Sequence, residues 1–425
     1  MATESIITWQ APPLRLGPGA TDEIGAELSR LGIRSTLIVT DPTVAKLGLP
    51  RRIQDLLAAE GIAAEIVDSA QVEPTDVGCQ ELADSLRDTE VESFVAVGGG
   101  SAIDTAKMLN LLLSHPGVPL HEYLNKPIGN ARPIPGVLKP LIAVPTTAGS
   151  GSECTAMVAL GITGLRLKTG IADRALTPTL AVVDPENTVT LPAAVTAAGG
   201  YDVLTHAVES YTARAFDRRP PYGSPSARPI YIGANPISDI WAEQALKLIR
   251  EFFVRAVLNP HDMPARTAMS YATVYASVGF GNAGTHVPHA CAYPIAGLVR
   301  DYRPRDYEVD HPIVPHGEAV VVTAPAAFEF TYAAAPERHL RAAELLGASL
   351  SGVTEATGAD VLPAILHSLM RATGGPSGVS TFGYSTADIP ALVDGAAKQQ
   401  RLLAGCPRDV GREDLGRVFA AAMDY

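Results

Sequence analysis

The stretch VESFVAVGGGSAIDTAKMLNLLL, residues 91–113, decides the fold of this chain of 425 residues. It begins as an apolar run typical of a buried strand and ends with the apolar spacing of a helix. Gly98, Gly99 and Gly100 lie between the two, and Ser101 opens the helix. A strand that turns through glycines directly into a helix is half of a β-α-β unit, so the stretch predicts a parallel sheet.

The same alternation continues on both sides of this stretch. Apolar runs and helical periods predict strands at 35–41, 63–68 and 179–185, a strand-to-loop segment at 139–153, and helices at 50–60 and 78–88. Strands that alternate with helices favour a parallel sheet covered by helices on both faces. We therefore expect an α/β nucleotide-binding domain over residues 1–192.

The character of the sequence changes near residue 193. Long Ala- and Leu-rich helical periods dominate from there onward, for example at 239–258 and 360–372. Loops rich in proline and charge interrupt them at 217–239 and 300–317, and loops of this length are often functional. The pattern predicts an all-α C-terminal domain over residues 193–425.

Composition restricts the classes of partner. Apolar residues make up 47% of the chain, charged residues 18%, and the net charge is −12. An acidic chain of this kind is not expected to bind nucleic acid or an anionic membrane, and no apolar run reaches the roughly 18 residues that span a bilayer. The N-terminal stretch MATESIITWQAPPLRLG has neither a basic region nor an apolar core. Together with four scattered cysteines, this predicts a cytoplasmic protein with reduced thiols.

Two loops that follow strands are candidates for binding a dinucleotide. Glycines let the backbone approach a pyrophosphate closely, and a helix N-terminus supplies free N–H groups. The spacing is not G-x-G-x-x-G, so a tight strand–helix turn without a ligand stays an alternative. The candidate cofactor residues are Asp41, Gly98, Gly99, Gly100, Ser101, Asp104, Thr146, Thr147, Ser150 and Lys168.

Two acidic residues of this half each have a second interpretation. Asp41 closes a strand, where a carboxylate would accept hydrogen bonds from the adenosine ribose and repel a 2′-phosphate, favouring NAD over NADP. An Asp-Pro turn is also common without a ligand. Asp104 and Lys107 lie one helical turn apart, so they either pair with each other or leave Lys107 to face phosphate.

The second half carries a candidate metal centre. In GGYDVLTHAVESY, Asp202 and His206 are four residues apart, which places both on one face of a helix. His316 and one of two histidines three residues apart, His286 or His289, would complete a four-ligand site for a divalent metal. Such a ligand set accepts Fe²⁺ or Zn²⁺. A metal site and a dinucleotide site in one chain suggest hydride transfer between an alcohol and a carbonyl.

Several motifs in order resemble the iron-containing alcohol dehydrogenase family. They are GGGSAIDTAK, PTTAGSGSE, GYDVLTHAVESY, HACAYP and PHG, and they cover nearly the whole chain. The resemblance implies a dehydroquinate synthase-like nucleotide-binding domain, NAD as the cofactor, a homodimer and a catalytic metal. It also implies Asp202, His206, His289 and His316 as the metal ligands and leaves His286 outside the pattern.

One residue departs from the family pattern. Many members carry a further histidine four residues after the third ligand, thought to relay the alcohol proton, and this chain has Tyr293 there. Further stretches, among them ANPISDIWAEQAL and FGNAGTHVPHACAYPIAGLV, resemble a subgroup that transfers hydride from 4-hydroxybutyrate to 2-oxoglutarate. The resemblance implies small hydroxyacid and oxoacid substrates, with Tyr293 as a further catalytic candidate.

Two rival activities stay open, as do the cations that would bind the substrate carboxylates. One rival is an ordinary NAD-linked dehydrogenase or reductase whose cofactor exchanges at each turnover. The other is a metal-dependent lyase or synthase on the same scaffold, against which the presence of Asp202 argues. Arginine suits a carboxylate, although most single arginines are simply solvated. The candidate arginines are Arg300, Arg303 and Arg305, with Arg214, Arg218 and Arg219 as rivals.

Overall fold

The computed structural model describes residues 3–165 and 167–425, and these form two compact units. One unit contains residues 11–191, and the other contains residues 3–10 together with 192–425. The Glu4 backbone N–H donates to the Arg219 carbonyl over 2.8 Å, and that of Gln10 donates to Asn282 Oδ1 over 2.9 Å. The division predicted at residue 192 leaves out this N-terminal segment, because composition does not reveal long-range packing.

The first unit is built on a parallel sheet. Its strands are β1 (Leu14–Leu16), β2 (Ser35–Val39), β3 (Ala63–Val67), β4 (Ser93–Gly98), β5 (Leu141–Pro145), β6 (Met157–Ile162), β7 (Leu167–Ala172) and β8 (Leu180–Val183). Six of them pair in parallel in the order β1-β8-β5-β4-β2-β3, and β6 and β7 form a separate antiparallel pair. The predicted parallel sheet is confirmed.

Helices cover both faces of this sheet. They are α1 (Ile24–Arg30), α2 (Pro42–Lys46), α3 (Leu49–Ala59), α4 (Asp76–Ser85) and α5 (Gly100–Ser114). Successive residues of β4 point to opposite faces, so Phe94 packs in one hydrophobic cluster with α5 and Val95 packs in another with α1 and α3. A parallel strand that is buried on both faces has a continuous apolar sequence, as residues 94–97 show.

The second unit is helical. Its helices are α6 (Ala193–Thr212), α7 (Pro236–Leu258), α8 (Met263–Ala283), α9 (Val287–Gly297), α10 (His316–Val321), α11 (Ala324–Tyr332), α12 (Pro336–Leu345), α13 (Val361–Thr373), α14 (Ile389–Ala397), α15 (Gln400–Leu403) and α16 (Arg412–Ala421). The long α7 begins where Asn235 Oδ1 accepts hydrogen bonds from the Ile237 and Ser238 N–H groups, with Pro236 in the first turn. Within the described residues, no helix is long and apolar enough to span a membrane.

Candidate functional site

Three helices bring acidic and imidazole side chains together in the helical unit. On α6, His206 Nε2 lies 3.5 Å from Asp202 Oδ1, as the four-residue spacing predicts. His289 on α9 places its Nε2 atom 3.5 Å from the same oxygen. One ligand atom from each of these three residues lies within 4.8 Å of the others, which is close enough for all three to hold a metal ion.

His316 approaches the same oxygen from the first turn of α10. Its Nε2 atom is 3.8 Å from Asp202 Oδ1, and its side chain is 37% exposed, against 5–6% for the other three. Gly317 makes this approach possible, since a Cβ atom there would lie only 1.8 Å from the Ala198 carbonyl oxygen of α6. The partly exposed His316 thus forms the open side of the cluster.

The electrostatics of the cluster fit a cation. Burial alone would raise the pKa of Asp202, but the neighbouring His206, His316 and His289 hold it well below its ordinary value. Burial lowers the pKa of His206 to about 3, so its imidazole stays neutral and keeps a lone pair. Asp202 Oδ1 and His289 Nε2 are buried and accept no hydrogen bond. A carboxylate oxygen and imidazole nitrogens that converge in this way are ligands for a divalent metal.

Glu209 is a functional candidate that the sequence analysis missed. It is fully buried, and its Oε1 atom accepts hydrogen bonds from the backbone N–H groups of His286 and His289 over 2.7 and 3.3 Å. Its Oε2 atom pairs with His289 Nδ1, which leaves Nε2 to face Asp202. Although burial opposes it, this carboxylate and Asp202 raise the pKa of His289 to about 9. The signal was present, because Asp202, His206 and Glu209 follow the helical spacing i, i+4, i+7.

The structure separates the two histidines that spacing alone could not. His286 is fully buried, and its Nε2 atom lies 3.2 Å from Thr212 Oγ1, outside the cluster. Tyr293, one turn after His289 on α9, is 7% exposed, and its ring centroid lies 6.5 Å from that of His316. The place that a histidine takes in many family members is thus occupied by a phenol beside the open side of the cluster.

In the sheet unit, the glycine turn packs tightly against its neighbours at the carboxyl ends of the strands. A Cβ atom at Gly98, where φ is +152°, would lie 3.2 Å from Asp41 Oδ2, and one at Gly99 would lie 3.3 Å from Thr147. A Cβ atom at Gly100 would lie 2.4 Å from Ser150 Oγ. Six of the predicted cofactor residues therefore meet at one edge of the sheet, around the start of α5.

Asp41 and Thr146 hold the chain around this turn. Asp41 Oδ1 accepts hydrogen bonds from the Thr43 and Val44 N–H groups, both over 2.9 Å, and so caps α2. The Thr146 N–H donates to the Gly98 carbonyl over 3.0 Å, which continues the pairing of β4 and β5. The capping role that the Asp-Pro turn suggested is present, and the second oxygen of Asp41 faces the glycine turn.

Two further candidates are joined through Glu73. Ser101 Oγ accepts a hydrogen bond from the Glu73 N–H over 3.1 Å, and the Glu73 carboxylate forms an ion pair with Lys168. Glu73 adopts a positive φ of 61°, which is uncommon for a residue other than glycine. These contacts place Lys168 on the same side of the unit as Ser101.

Asp104 and Lys107 have structural partners. Asp104 Oδ2 accepts from the Ala159 N–H over 2.8 Å, and its Oδ1 atom accepts from Ser152 Oγ. Lys107 is 1% exposed and donates to the carbonyls of Ser152, Thr155 and Met157 over 2.7–2.9 Å. Both side chains bind α5 to the segment 152–159. These contacts exclude a phosphate-facing Lys107, and a cofactor contact of Asp104 stays a prediction.

A glycine turn on a parallel sheet, followed by a helical unit with an acidic and imidazole cluster, defines a class of nucleotide-dependent metalloenzymes. The family model described as "Iron-containing alcohol dehydrogenase" matches residues 12–185. The model for the C-terminal part of this family, "Fe-containing alcohol dehydrogenase family, C-terminal", matches residues 230–423. The chain belongs to the iron-containing alcohol dehydrogenase family, and it is an oxidoreductase that acts on CH–OH groups.

Known relatives and solved structures agree with this membership. The chain is 44% identical over 411 residues to "Hydroxyacid-oxoacid transhydrogenase, mitochondrial" of Bos taurus, covering 96% of this chain and 88% of the relative. The probable enzyme of that name from Dictyostelium discoideum is 39% identical over 424 residues, covering 96% and 78%. A crystal structure of 1,3-propanediol oxidoreductase superposes with a TM-score of 0.85 at 28% identity, covering 99% of this chain and 100% of that one.

A nucleotide complex is among the solved structures. Sulfoacetaldehyde reductase from Bifidobacterium kashiwanohense in complex with NAD⁺ superposes with a TM-score of 0.80 at 25% identity, and 99% of each chain is covered. Together with family membership, this supports NAD and a divalent metal as cofactors. The names of the relatives also correct one prediction. Those relatives are named mitochondrial, so the expectation of a cytoplasmic protein, which rested on the N-terminal composition and the scattered cysteines, is wrong.

Proposed function

We propose that this protein transfers hydride from a small hydroxyacid such as 4-hydroxybutyrate to an oxoacid such as 2-oxoglutarate. The products are succinic semialdehyde and 2-hydroxyglutarate, so the hydroxyacid loses two hydrogens and the oxoacid gains them. The observation that carries the proposal is the 44% identity over 411 residues to a hydroxyacid-oxoacid transhydrogenase. An alignment that covers 96% of the chain extends over both the sheet unit and the helical unit.

Each candidate residue then has a role. We propose that residues 193–425 form the metal-binding domain and that Asp202, His206, His289 and His316 hold the metal, with iron(II) preferred to zinc(II). Residues 11–191 form the nucleotide-binding domain, in which the predicted cofactor residues, from Asp41 to Lys168, surround NAD. When bound, the metal supplies a Lewis acid for the substrate oxygen, and NAD accepts and returns the hydride.

The chain's own side chains prepare this chemistry. Asp202 stays ionised and His206 stays neutral, so both present lone pairs at neutral pH. The Glu209 carboxylate accepts a hydrogen bond from Nδ1–H of His289 and so fixes the orientation of that ring. Tyr293 lies where a phenol could donate a hydrogen bond to a substrate oxygen or a ribose hydroxyl. As a further proposal, the active protein is a homodimer, which light scattering measures directly.

A second candidate function is an ordinary NAD-dependent alcohol dehydrogenase or reductase with a freely exchanging cofactor. The solved structures favour it, since they include an alcohol dehydrogenase from Oenococcus oeni at 26% identity with a TM-score of 0.85. The same residues would serve both activities. The two candidates differ in whether turnover requires free NAD.

The experiment that tests the proposal uses the purified, metal-loaded protein without added NAD. It is incubated with 4-hydroxybutyrate, with and without 2-oxoglutarate, and both products are measured. Sustained formation of succinic semialdehyde and 2-hydroxyglutarate in equal amounts, only when both substrates are present, supports the transhydrogenase. Turnover that requires added NAD and ignores 2-oxoglutarate identifies the ordinary dehydrogenase instead.

A further inference from the structure

Two arginines of the helical unit contact Tyr231, Arg401 at its ring and Arg219 at its backbone carbonyl. The guanidinium carbon of Arg401 lies 4.7 Å from the centroid of the Tyr231 ring, and this guanidinium also donates to the tyrosine hydroxyl. Arg219 Nη1 donates to the Tyr231 carbonyl over 3.2 Å. Burial raises the pKa of Tyr231, so its hydroxyl stays protonated. Tyr231 therefore holds the guanidinium groups of Arg219 and Arg401 close to each other.

Neither guanidinium has a carboxylate partner within the part of the chain that the structure describes. Arg219 Nε and Arg401 Nη1 are nevertheless buried, and each lacks a hydrogen-bond acceptor. A buried, charged donor without an acceptor costs free energy, and a native structure keeps such a group mainly for a purpose. The nearby arginines differ, because Arg214 forms an ion pair with Asp409, and Arg228 with Glu4.

The same comparison argues against two of the arginines that the sequence singled out, since each already lies beside a carboxylate. Arg300 is paired with Asp388 over 2.7 Å, and Arg305 lies 3.6 Å from Asp306. Glu4, whose backbone N–H donates to the Arg219 carbonyl, already forms an ion pair with Arg228. In a chain with a net charge of −12, Arg219 and Arg401 thus form a local cationic site.

This cationic site adjoins the Asp–His cluster within the same unit. The Tyr231 ring contacts Phe280 edge-on with centroids 6.5 Å apart, and Phe280 stacks on His206 at 3.8 Å. Gly284 lets Tyr231 approach the start of α9, since a Cβ atom there would lie 2.9 Å from the tyrosine ring. The short helix α15, which carries Arg401, packs on α9, the helix of His289. Two aromatic rings thus connect the arginines to the cluster.

We propose that Arg401, assisted by Arg219, binds the carboxylate of the substrate whose oxygen faces the Asp–His cluster. This inference rests on the proposed function. In 4-hydroxybutyrate two methylene groups separate the carbinol carbon from the carboxylate, and in 2-oxoglutarate two methylene groups separate the keto carbon from the distal carboxylate. A single cationic site therefore serves both half-reactions. An arginine fork suits this task because it can donate two parallel hydrogen bonds to a carboxylate.

The test compares charged and neutral substrates of equal carbon number, 4-hydroxybutyrate and 1-butanol, in the metal-loaded protein. Arg401→Gln should raise the KM for 4-hydroxybutyrate by about 10- to 100-fold, because a charged hydrogen bond is lost. The KM for 1-butanol should change less than about threefold, within the range of surface substitutions. Arg401→Lys should recover part of the loss, and Arg219→Gln should have a smaller effect. The control is Arg408→Gln, since Arg408 also stacks on an aromatic ring, Phe330, but is exposed.

Calorimetry with succinate provides a readout that does not depend on turnover. The unaltered protein and Arg408→Gln should bind succinate, and Arg401→Gln should bind it at least about tenfold more weakly. Equal changes in KM for 4-hydroxybutyrate and 1-butanol, or unaltered succinate binding in Arg401→Gln, would overturn the carboxylate site. If the unaltered protein uses 1-butanol as efficiently as 4-hydroxybutyrate, the hydroxyacid function itself fails, whichever arginine is present.

Discussion

The two candidate sites of this molecule differ in composition, since one is formed by side chains and the other mainly by backbone. The Asp–His cluster consists of side chains from α6, α9 and α10, and its geometry depends on one carboxylate oxygen that three imidazoles approach within 3.5–3.8 Å. The glycine turn consists of backbone at the ends of strands, where missing side chains create the room. The difference teaches that polar side chains converge to form the candidate metal centre, whereas in the sheet unit many polar side chains hold the fold together.

The largest effect is expected when a side chain of the Asp–His cluster is removed. His206→Ala or His289→Ala should reduce metal affinity by more than the 10- to 100-fold that is typical of outer partners, and should abolish turnover. His286→Gln is the control, because His286 lies outside the cluster and should retain the metal. Metal content measured after dialysis decides the matter. Loss of metal in His286→Gln with retention in His289→Ala would reverse the assignment.

The next largest effect is expected at Lys107, in the sheet unit that carries the predicted cofactor residues. Lys107→Met leaves three buried carbonyls and Asp104 without their cation, which should lower the free energy of unfolding by about 3–5 kcal/mol. NAD affinity of the folded protein should stay unchanged. Chemical denaturation and nucleotide titration measure the two quantities, with the exposed Lys247→Met as the control. Reduced NAD affinity at unchanged stability would show that Lys107 serves the cofactor after all.

A smaller effect is expected at Glu209, which contacts the cluster through His289. Glu209→Gln should weaken metal binding by about 10- to 100-fold, because the amide holds the His289 ring less firmly than a carboxylate does. Competition with a chelator measures the affinity directly. Unchanged metal affinity in Glu209→Gln would mean that the carboxylate only serves packing.

The smallest effect is expected at Asp41, whose carboxylate lies beside the glycine turn. A substitution there tests whether that side chain selects between NAD and NADP. Asp41→Asn keeps an oxygen to cap α2 but removes the charge near Gly98, so the preference for NAD over NADP should fall by about tenfold. Asp41→Gly would lose the cap as well, and its thermal stability distinguishes the two effects. An unaltered ratio of kcat/KM values for the two nucleotides would show that Asp41 does not face the ribose.

Periodicity was sufficient for most of the fold. The structure places β2 to β5 and β8 within a few residues of the predicted positions. Of these, β2, β4, β5 and β8 are buried and mainly apolar, whereas β3 (AAEIV) is largely exposed or half-buried. The sequence analysis missed β1, which has only three residues, and β6, whose sequence MVALGI shows no alternation between polar and apolar residues. It also missed that residues 3–10 pack with the helical unit, since local patterns contain no long-range contacts.

The candidate site was less predictable, and for a physical reason. Spacing places Asp202 and His206 on one face, but it cannot choose between His286 and His289, because that choice depends on how α9 is oriented against α6. It also cannot show that Asp104 and Lys107 use their polar atoms within the fold. Arg401 has no surrounding motif, and it contacts Tyr231 only after the 169 residues between them have folded.

The most direct test of the central claim follows one hydrogen atom from donor to acceptor. Deuterium is placed on the carbinol carbon of 4-hydroxybutyrate, and the protein is supplied with 2-oxoglutarate and an excess of unlabelled NADH. Full retention of deuterium at C2 of the 2-hydroxyglutarate formed is the predicted result. Dilution of the label in proportion to the added NADH would contradict it and identify an ordinary dehydrogenase.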